Sequence, residues 1–337
     1  MRKITIITEG GELFGFGHIT RCLSIANRFL NYDFSVKFLI DGDDTLLSIL
    51  KDIKYEIFNW STQEQQLFEE LKSSTIILID SIEIKDELIL KIQSLGALII
   101  YIDDERRRNI LDSGVVIDWT VLSEKKDYFF PQKEGVKYLL GSKYASLRKD
   151  FNNVEKNQIK EKIECIMVTF GGADVRNLTP KILELLTEKF PNIEKNIVVG
   201  AGFKNIAEIE KFKDLKTNLI FNADTSQMIG LMQNNDIAIA SGGQTLYELA
   251  LVGTPTIAIL LVENAKDDTL GWGEVGSVKN IGWYNDMSLL DRLKETIYFL
   301  EDKRVRVEMQ NRAKEHISLD GATLLVDEII GELNDIV

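Results

Sequence analysis

Short, uninterrupted apolar runs alternate with segments of helical periodicity along this chain, and the pattern occurs twice. Residues 3–8, 36–40, 75–79 and 97–102 read as strands, and Gly17–Leu30, 63–72 and 85–94 as helices. In Gly17–Leu30 the apolar Ile19, Leu23, Ala26 and Leu30 recur at three- and four-residue spacing, the period of one helix face. A strand that is apolar throughout must be covered on both faces. Helices between successive strands supply those covers, so the pattern points to parallel α/β sheets. The polar stretch 152–161 interrupts it. It then resumes with strand candidates at 165–170, 197–199, 219–221, 237–240 and 256–261, each followed by a turn and a helix. Two α/β domains are therefore expected, 1–155 and 156–337, with a boundary near 150–162. The helices at roughly 286–334 are expected to cover the second domain or its junction. The length of 337 residues supports the same count at about 150 residues per domain.

Charge and cysteine usage narrow the function classes. Acidic residues outnumber basic ones by 53 to 40, giving a formal charge of −13. That is the opposite of the basic footprint of a nonspecific nucleic-acid binder, and of a basic face that docks on an anionic membrane. No apolar run approaches the ~18 residues of a membrane span. The N-terminal MRKITIITEGG enters a strand-like run directly, without the apolar core and small-residue cleavage site of a signal peptide. A cytoplasmic location is expected. Cys22 and Cys165 lie far apart and form no CxxC pair, which argues against a disulfide framework or a structural zinc site.

In open α/β sheets ligands bind at the carboxyl ends of the strands, so with two domains the site is expected in the cleft between them. Three loops at strand ends carry the informative residues. The first runs from Glu9 through Gly10, Gly11, Gly15 and Gly17 to His18 and Arg21. Its glycines permit a sharp turn and close approach to a ligand, and the following helix start favours an anion. His18 has an unperturbed pKa suited to proton transfer at neutral pH, or it caps or packs the turn. Arg21 holds a phosphate or an acidic partner, or is a solvated helix residue. The second loop is Gly171, Gly172, Ala173, Asp174, Val175, Arg176, Asn177. Its glycine pair leaves room for a phosphate or sugar, while Asp174 or Asn177 can cap the next helix. The third is Ser241, Gly242, Gly243, Gln244, Thr245, with Glu248 further along the helix. It is an anion cradle of the same kind. Glu248 is either a ribose contact, by analogy with dinucleotide folds, or an exposed helix glutamate.

These residues resemble a known family. Gly15, Phe16, Gly17, His18, Ile19, Thr20, Arg21 and Cys22 match the G-x-G-H-x-x-R-C/D segment of nucleotide-sugar hydrolases of the pseudaminic acid pathway. Those enzymes cleave UDP-2,4-diacetamido-2,4,6-trideoxy-β-L-altropyranose. The likeness continues through Asp103, Asp104 and Glu105, through Tyr144, Ala145, Ser146, Leu147 and Arg148, and through the segment from Phe170 to Thr179. It ends with the Ser-Gly-Gly…Glu segment, with Gly253, Thr254 and Pro255, and with Glu263 and Asn264. The segment 241–255 is also similar to the donor site of glycosyltransferases that make the lipid-linked peptidoglycan precursor. Both families have the GT-B fold, two Rossmann-like domains facing each other across a cleft.

The resemblance implies a role for each residue. His18 is the general base or positions the water. Gly171, Gly172, Ser241, Gly242, Gly243, Gln244 and Thr245 hold the nucleotide diphosphate, and Glu248 binds the ribose. Gly15, Gly17, Arg21, Asp80 and Asn264 lie on the sugar side. Water attacks the anomeric carbon and UDP, or another nucleoside diphosphate, leaves. The scheme needs no metal and no cofactor. The only partner it implies is the small-molecule nucleotide-sugar, and the product serves synthesis of a surface or capsular glycan. Departures fall on the sugar half. Ile7 and Glu9 stand where the family commonly has arginine and aspartate, Asp80, Ser81 and Ile82 where it has Asp-His-Tyr, and Asn264-Ala265 where it has Asn-Gln. The segment 266–280 is about six residues longer and contains Trp272. A different nucleotide-linked sugar is therefore expected. The alternatives are a GT-B glycosyltransferase, with Trp272 stacking on an acceptor, and a non-catalytic nucleotide-sugar binding protein.

Overall fold

The computed structural model describes the whole chain except residues 1, 12–16, 44–49, 51–52, 105–109, 126–131, 149, 152–153 and 337, and the side chains of 335 and 336. It divides into two compact units, Met1–Lys149 with Asp320–Val337, and Asp150–Leu319.

In the first unit the order of elements is β1 (Lys3–Gly10), α1 (Gly17–Leu30), β2 (Ser35–Gly42), β3 (Lys54–Ile57), α2 (Glu64–Leu71), β4 (Ile76–Asp80), α3 (Asp86–Gln93), β5 (Leu98–Ile102), β6 (Gly114–Asp118) and β7 (Val136–Leu140). Seven parallel strands lie in the order β3-β2-β1-β4-β5-β6-β7. The central strands are buried on both faces, as their continuous apolar runs require. Ile4, Ile6 and Ile7 of β1 and Ile76 to Ile79 of β4 have no exposed surface. α1 lies over the sheet with Ile19, Cys22, Ile25, Ala26 and Phe29 inward. The strand order reverses between β1 and β4, where Thr8 stands level with Asp80. The carboxyl ends of these two strands therefore form the switch point of the sheet.

The second unit contains β8 (Cys165–Thr169), α4 (Thr179–Lys189), β9 (Glu194–Val199), α5 (Ile206–Lys211), β10 (Thr217–Phe221), α6 (Thr225–Asn234), β11 (Ile237–Ser241), α7 (Gln244–Val252), β12 (Thr256–Leu260), α8 (Lys266–Glu274), β13 (Val278–Trp283), α9 (Leu289–Phe299) and α10 (Lys303–His316). Six parallel strands run β10-β9-β8-β11-β12-β13. Here the reversal falls between β8 and β11, with Thr169 level with Ala240. The two glycine-rich loops leave the sheet side by side at that point. Local chemistry sets the helix ends. Asp224 and Gln227 form a reciprocal capping box on α6, and Gly253 closes α7 in the left-handed conformation at φ 79°.

Four strands depart from the sequence expectation: β3, β6, β7 and β13 complete the sheets at or near their edges. The final helix, α11 (Gly321–Ile336), belongs to the first unit, not to a second domain of 156–337. α11 packs on α1. Tyr32 donates to Asp327, and Lys137 Nζ lies 2.8 Å from Glu328 Oε2. A side chain at Gly321 would meet the carbonyl oxygen of Ala145 at 2.4 Å, so the helix start can approach that backbone only as glycine.

Candidate active site

At the first switch point, β1 ends in Glu9-Gly10 and β4 ends in Asp80, and α1 begins at Gly17-His18. The sheet order brings together residues 62 positions apart: His18 Nδ1 lies 2.8 Å from Asp80 Oδ1. A carboxylate only accepts hydrogen bonds, so a proton sits on Nδ1, and in the neutral ring Nε2 is the acceptor. His18 is the less buried partner, its side chain 16% exposed against 1% for Asp80. Arg21, one turn further along α1, closes on the same carboxylate. Its Nε donates to Asp80 Oδ2 at 2.7 Å and its Nη2 donates to Oδ1. Cys22 Sγ donates to Oδ2 at 3.3 Å. Arg21 Nη2 also stands 3.2 Å from His18 Nδ1, but both carry protons directed at Asp80, so the two donors converge without bonding each other.

Asp80 therefore accepts four hydrogen bonds, the full capacity of a carboxylate, in an environment closed to solvent. It does not fit the expected role of a sugar contact, because no lone pair is left for a substrate hydroxyl. Its place is behind His18, where it orients the imidazole. Burial alone would raise its pKa, but the Arg21 guanidinium and then His18 hold it well below the usual carboxylate range. Burial opposes the Arg21 charge. Asp104 and Asp80 outweigh it and push the guanidinium above its already high value. Arg21 Nη1 donates to Asp104 Oδ2, and its guanidinium carbon lies 5.2 Å from the ring centre of the buried Trp119. Arg21 is thus committed to protein partners and is neither a solvated residue nor a ready phosphate ligand. Burial, followed by the charge of Asp80, pushes the Cys22 thiol well up.

Glu9 is nearly solvent-free and faces the turn that follows β4. Ser81 Oγ donates to its Oε1. The backbone N–H groups of Ile82 and Glu83 donate to Oε2 and Oε1 at 3.0 and 3.1 Å. Ser146 and Tyr144, part of the family likeness, are buried. Ser146 Oγ donates to the Arg21 carbonyl at 3.1 Å, and Ser24 donates to the Leu147 carbonyl, which fastens α1 to the segment after β7. Gly17 is exposed at the helix start. Gly15, Glu105 and the arginines at 106–108 lie outside the described residues.

At the second switch point, Gly171 (φ +67°) and Gly172 are exposed, and a Cβ on either would meet nothing within 4 Å. Asp174 is spent locally. Its two oxygens accept from Leu178 N at 3.0 Å and Thr179 N at 2.9 Å, capping α4. Asn177 bonds Asn205 and Glu208. Arg176 is anchored by its Nε to the Leu261 carbonyl at 3.1 Å and lies 4.5 Å over the Tyr284 ring. Across from it, Ser241, Gly242, Gly243, Gln244 and Thr245 are half-buried where α7 begins. Gly243 (φ +105°) also has open space beside it. Gly242 does not, because a Cβ there would meet Thr269 Oγ1 at 2.4 Å and Ala265 Cβ at 2.7 Å. Its missing side chain serves the packing of α8 rather than a ligand. Glu248 is 3% exposed, so it is not a surface helix glutamate. Asn264 is exposed in a single 3-10 turn, Glu263–Ala265.

Trp272, expected as an acceptor platform, has no exposed surface. α8 turns it inward with Thr269 and Gly271, edge-on to Tyr247 with ring centres 5.3 Å apart. Its size is used in the core of the second unit. In the sequence Glu9 stands out only as the start of the first loop and as a departure from the family pattern, and Trp119 carries no signal. Glu9 was detectable in principle: a strand-end carboxylate beside a polar strand end invites pairing once the sheet order is known.

Two parallel α/β sheets, each with its own switch point, have the GT-B fold. Against MurG of Acinetobacter baumannii the TM-score is 0.72 at 14% identity, over 98% of this chain and all of that one. Residues 147–269 match a family described as a protein of unknown function, DUF354. The chain is 27% identical over 270 residues to an uncharacterized protein of Methanocaldococcus jannaschii, covering 76% of this chain and 55% of that protein's length. It is 24% identical over 277 residues to the UDP-2,4-diacetamido-2,4,6-trideoxy-beta-L-altropyranose hydrolase of Campylobacter jejuni, covering 80% and 95%. To the spore coat polysaccharide biosynthesis protein SpsG of Bacillus subtilis it is 25% identical over 293 residues, covering 83% of each. No helix among the described residues is long and apolar enough to cross a membrane.

Proposed function

We propose that the chain is an enzyme acting on nucleotide sugars, and specifically a hydrolase that frees a sugar from its nucleoside diphosphate. The observation that carries this reading is the His18–Asp80 hydrogen bond. In the neutral ring it places the proton on Nδ1 and turns Nε2 out as the acceptor, the form a general base needs. In this reading Nε2 takes a proton from water as the water oxygen attacks the anomeric carbon. The bond from that carbon to the diphosphate oxygen breaks, and the nucleoside diphosphate leaves with the bonding pair. Charge gathering on the leaving group meets the backbone N–H groups at Gly171-Gly172 and at the start of α7. Gly171, Gly172, Ser241, Gly243, Gln244 and Thr245 serve the diphosphate, Glu248 the ribose, and Gly17 and Asn264 the sugar. The names of the Campylobacter and Bacillus relatives support a nucleotide-sugar substrate and a place in glycan synthesis. Trp272 is buried and offers no stacking face to an acceptor, which takes away one of the two features behind the transferase reading.

The test is nucleoside diphosphate release from a panel of nucleotide sugars without acceptor. His18→Gln is expected to lose about 100-fold or more in kcat while UDP affinity by calorimetry holds, since general-base catalysis contributes about 10²–10⁴-fold. No release from any sugar with UDP binding intact, or full activity in His18→Gln, would overturn the reading. Release only on adding an acceptor assigns the transferase instead.

A further inference from the structure

We infer that Glu9 is a positioning residue for the His18 base, acting through the turn that follows Asp80. This role rests on the catalytic reading of His18, but its geometry stands apart from any substrate. Asp80 owes its position to two things: the end of β4, and the turn of Ser81, Ile82 and Glu83 that leads away from it. β4 is held by its neighbours along its length. The turn has a different anchor. Glu9, on the adjacent strand and one residue beyond the Thr8–Asp80 register pair, accepts from the Ser81 hydroxyl and from two consecutive backbone N–H groups. The Ser81 hydroxyl in turn accepts from Ile84 N at 2.8 Å, and Ile84 is fully buried. One carboxylate thus ties three consecutive residues of the turn to β1.

These donors explain how a buried carboxylate is tolerated here, since three hydrogen bonds replace its hydration. Its acceptor-only character also matters. A glutamine at position 9 keeps one carbonyl oxygen, but its amide N–H₂ faces N–H or O–H donors and repels one end of the turn. The Asp80 carboxylate, which leads into that turn, holds His18 at 2.8 Å, so a small displacement is felt directly in the imidazole. A misplacement of about 1 Å at a reacting group costs about 100-fold in rate. The same turn presents Ile82 to solvent at 40% exposure, beside the dyad.

The chain contains only two histidines, His18 and His316, which makes the imidazole directly observable. The full chain, ¹⁵N-labelled in its histidine rings, gives two sets of long-range ¹H–¹⁵N signals, assigned with His316→Gln. Wild-type protein is expected to show His18 in the Nδ1–H form. Glu9→Gln is expected to shift the His18 ring signals or mix its tautomers, to leave those of His316 in place, and to lower kcat about 10- to 100-fold with a smaller change in KM. Ser81→Ala removes one of the three ties and serves if Glu9→Gln does not fold. It should move the same signals less. His18 signals identical to wild type in the folded variant would overturn the inference. If the signals move but no nucleotide sugar is turned over by any form, the positioning stands and the hydrolase reading falls.

Discussion

Replacing Asp80 with asparagine changes one atom in size and shape but reverses what that atom offers. Asp80 receives His18 Nδ1–H, two N–H groups of Arg21 and the Cys22 thiol. An asparagine has one oxygen for these donors and an N–H₂ in place of the other. If the oxygen faces Arg21, the amide N–H₂ faces His18 Nδ1 and selects the opposite tautomer, with the proton on Nε2. The general base is then lost although its side chain stays in place. In a serine-protease triad the equivalent Asp-to-Asn change costs about 10⁴ in kcat, so a fall of about 10²–10⁴ is expected here. Stability falls as well. Removing one partner of a buried ion pair typically costs about 3–5 kcal/mol, and Arg21 keeps Asp104 and Trp119, so the lower end is expected. The pH dependence follows from the depressed Asp80 pKa. Its stabilisation is fully present above the ordinary carboxylate range and is lost as pH falls through the lower folded value. Asp80→Asn should lack that acid-side component, so its unfolding midpoint should vary less between pH 5 and pH 3 than that of wild type. Urea unfolding at several pH values and nucleoside diphosphate release at neutral pH measure both effects. A kcat within a few-fold of wild type in folded Asp80→Asn would refute the tautomer argument.

The two glycine loops separate by substitution. Gly172→Ala should fold within about 0.5 kcal/mol of wild type, because nothing stands near its Cβ, yet weaken UDP binding in calorimetry. Gly242→Ala should cost about 1–3 kcal/mol in urea unfolding through contact with Thr269 and Ala265. Trp272→Ala should cost about 3–5 kcal/mol for the second unit, an effect that a surface stacking platform would not show. Cys22, buried and with its thiol pKa pushed up, should resist thiol reagents in the native protein while the half-buried Cys165 reacts first. Equal rates for the two would count against the closed Asp80 environment.

The repeated α/β pattern was legible because its signal is hydrophobic. The runs that became β4 and β5 are nearly continuous Ile and Leu, those of β1, β8, β11 and β12 are chiefly Ile, Ala, Val, Met and Thr, and the amphipathic span of α1 matches its observed bounds. β3 escaped because Lys54, Tyr55, Glu56 and Ile57 sit only part-buried at the sheet margin, where no apolar pattern is demanded. β13 begins inside the segment 266–280, read as longer than the family's, and runs beyond it. His18 was legible as a residue type in a turn, but its partner was not. The 62 positions separating it from Asp80 collapse only when β4 is laid beside β1, which no local pattern states. Asp80 was accordingly placed on the substrate side when it lies behind His18. Trp272 misled for a related reason: the sequence shows a large aromatic in an unusual segment and says nothing of which way α8 turns it.

The return of α11 to the first unit has a consequence for how the protein is made. Synthesis runs from the amino to the carboxyl end, so all of β1 to β7 leave the ribosome long before the helix that packs on α1. Throughout translation of Asp150–Leu319 the first unit lacks its last helix, while the second is continuous in the chain and can close as soon as it emerges. The helix that begins with the His18 turn is thus the last to receive its full packing. A nascent chain would hold a finished second unit while the first still waits, and His18 at the start of α1 would gain its final support only once α11 has emerged.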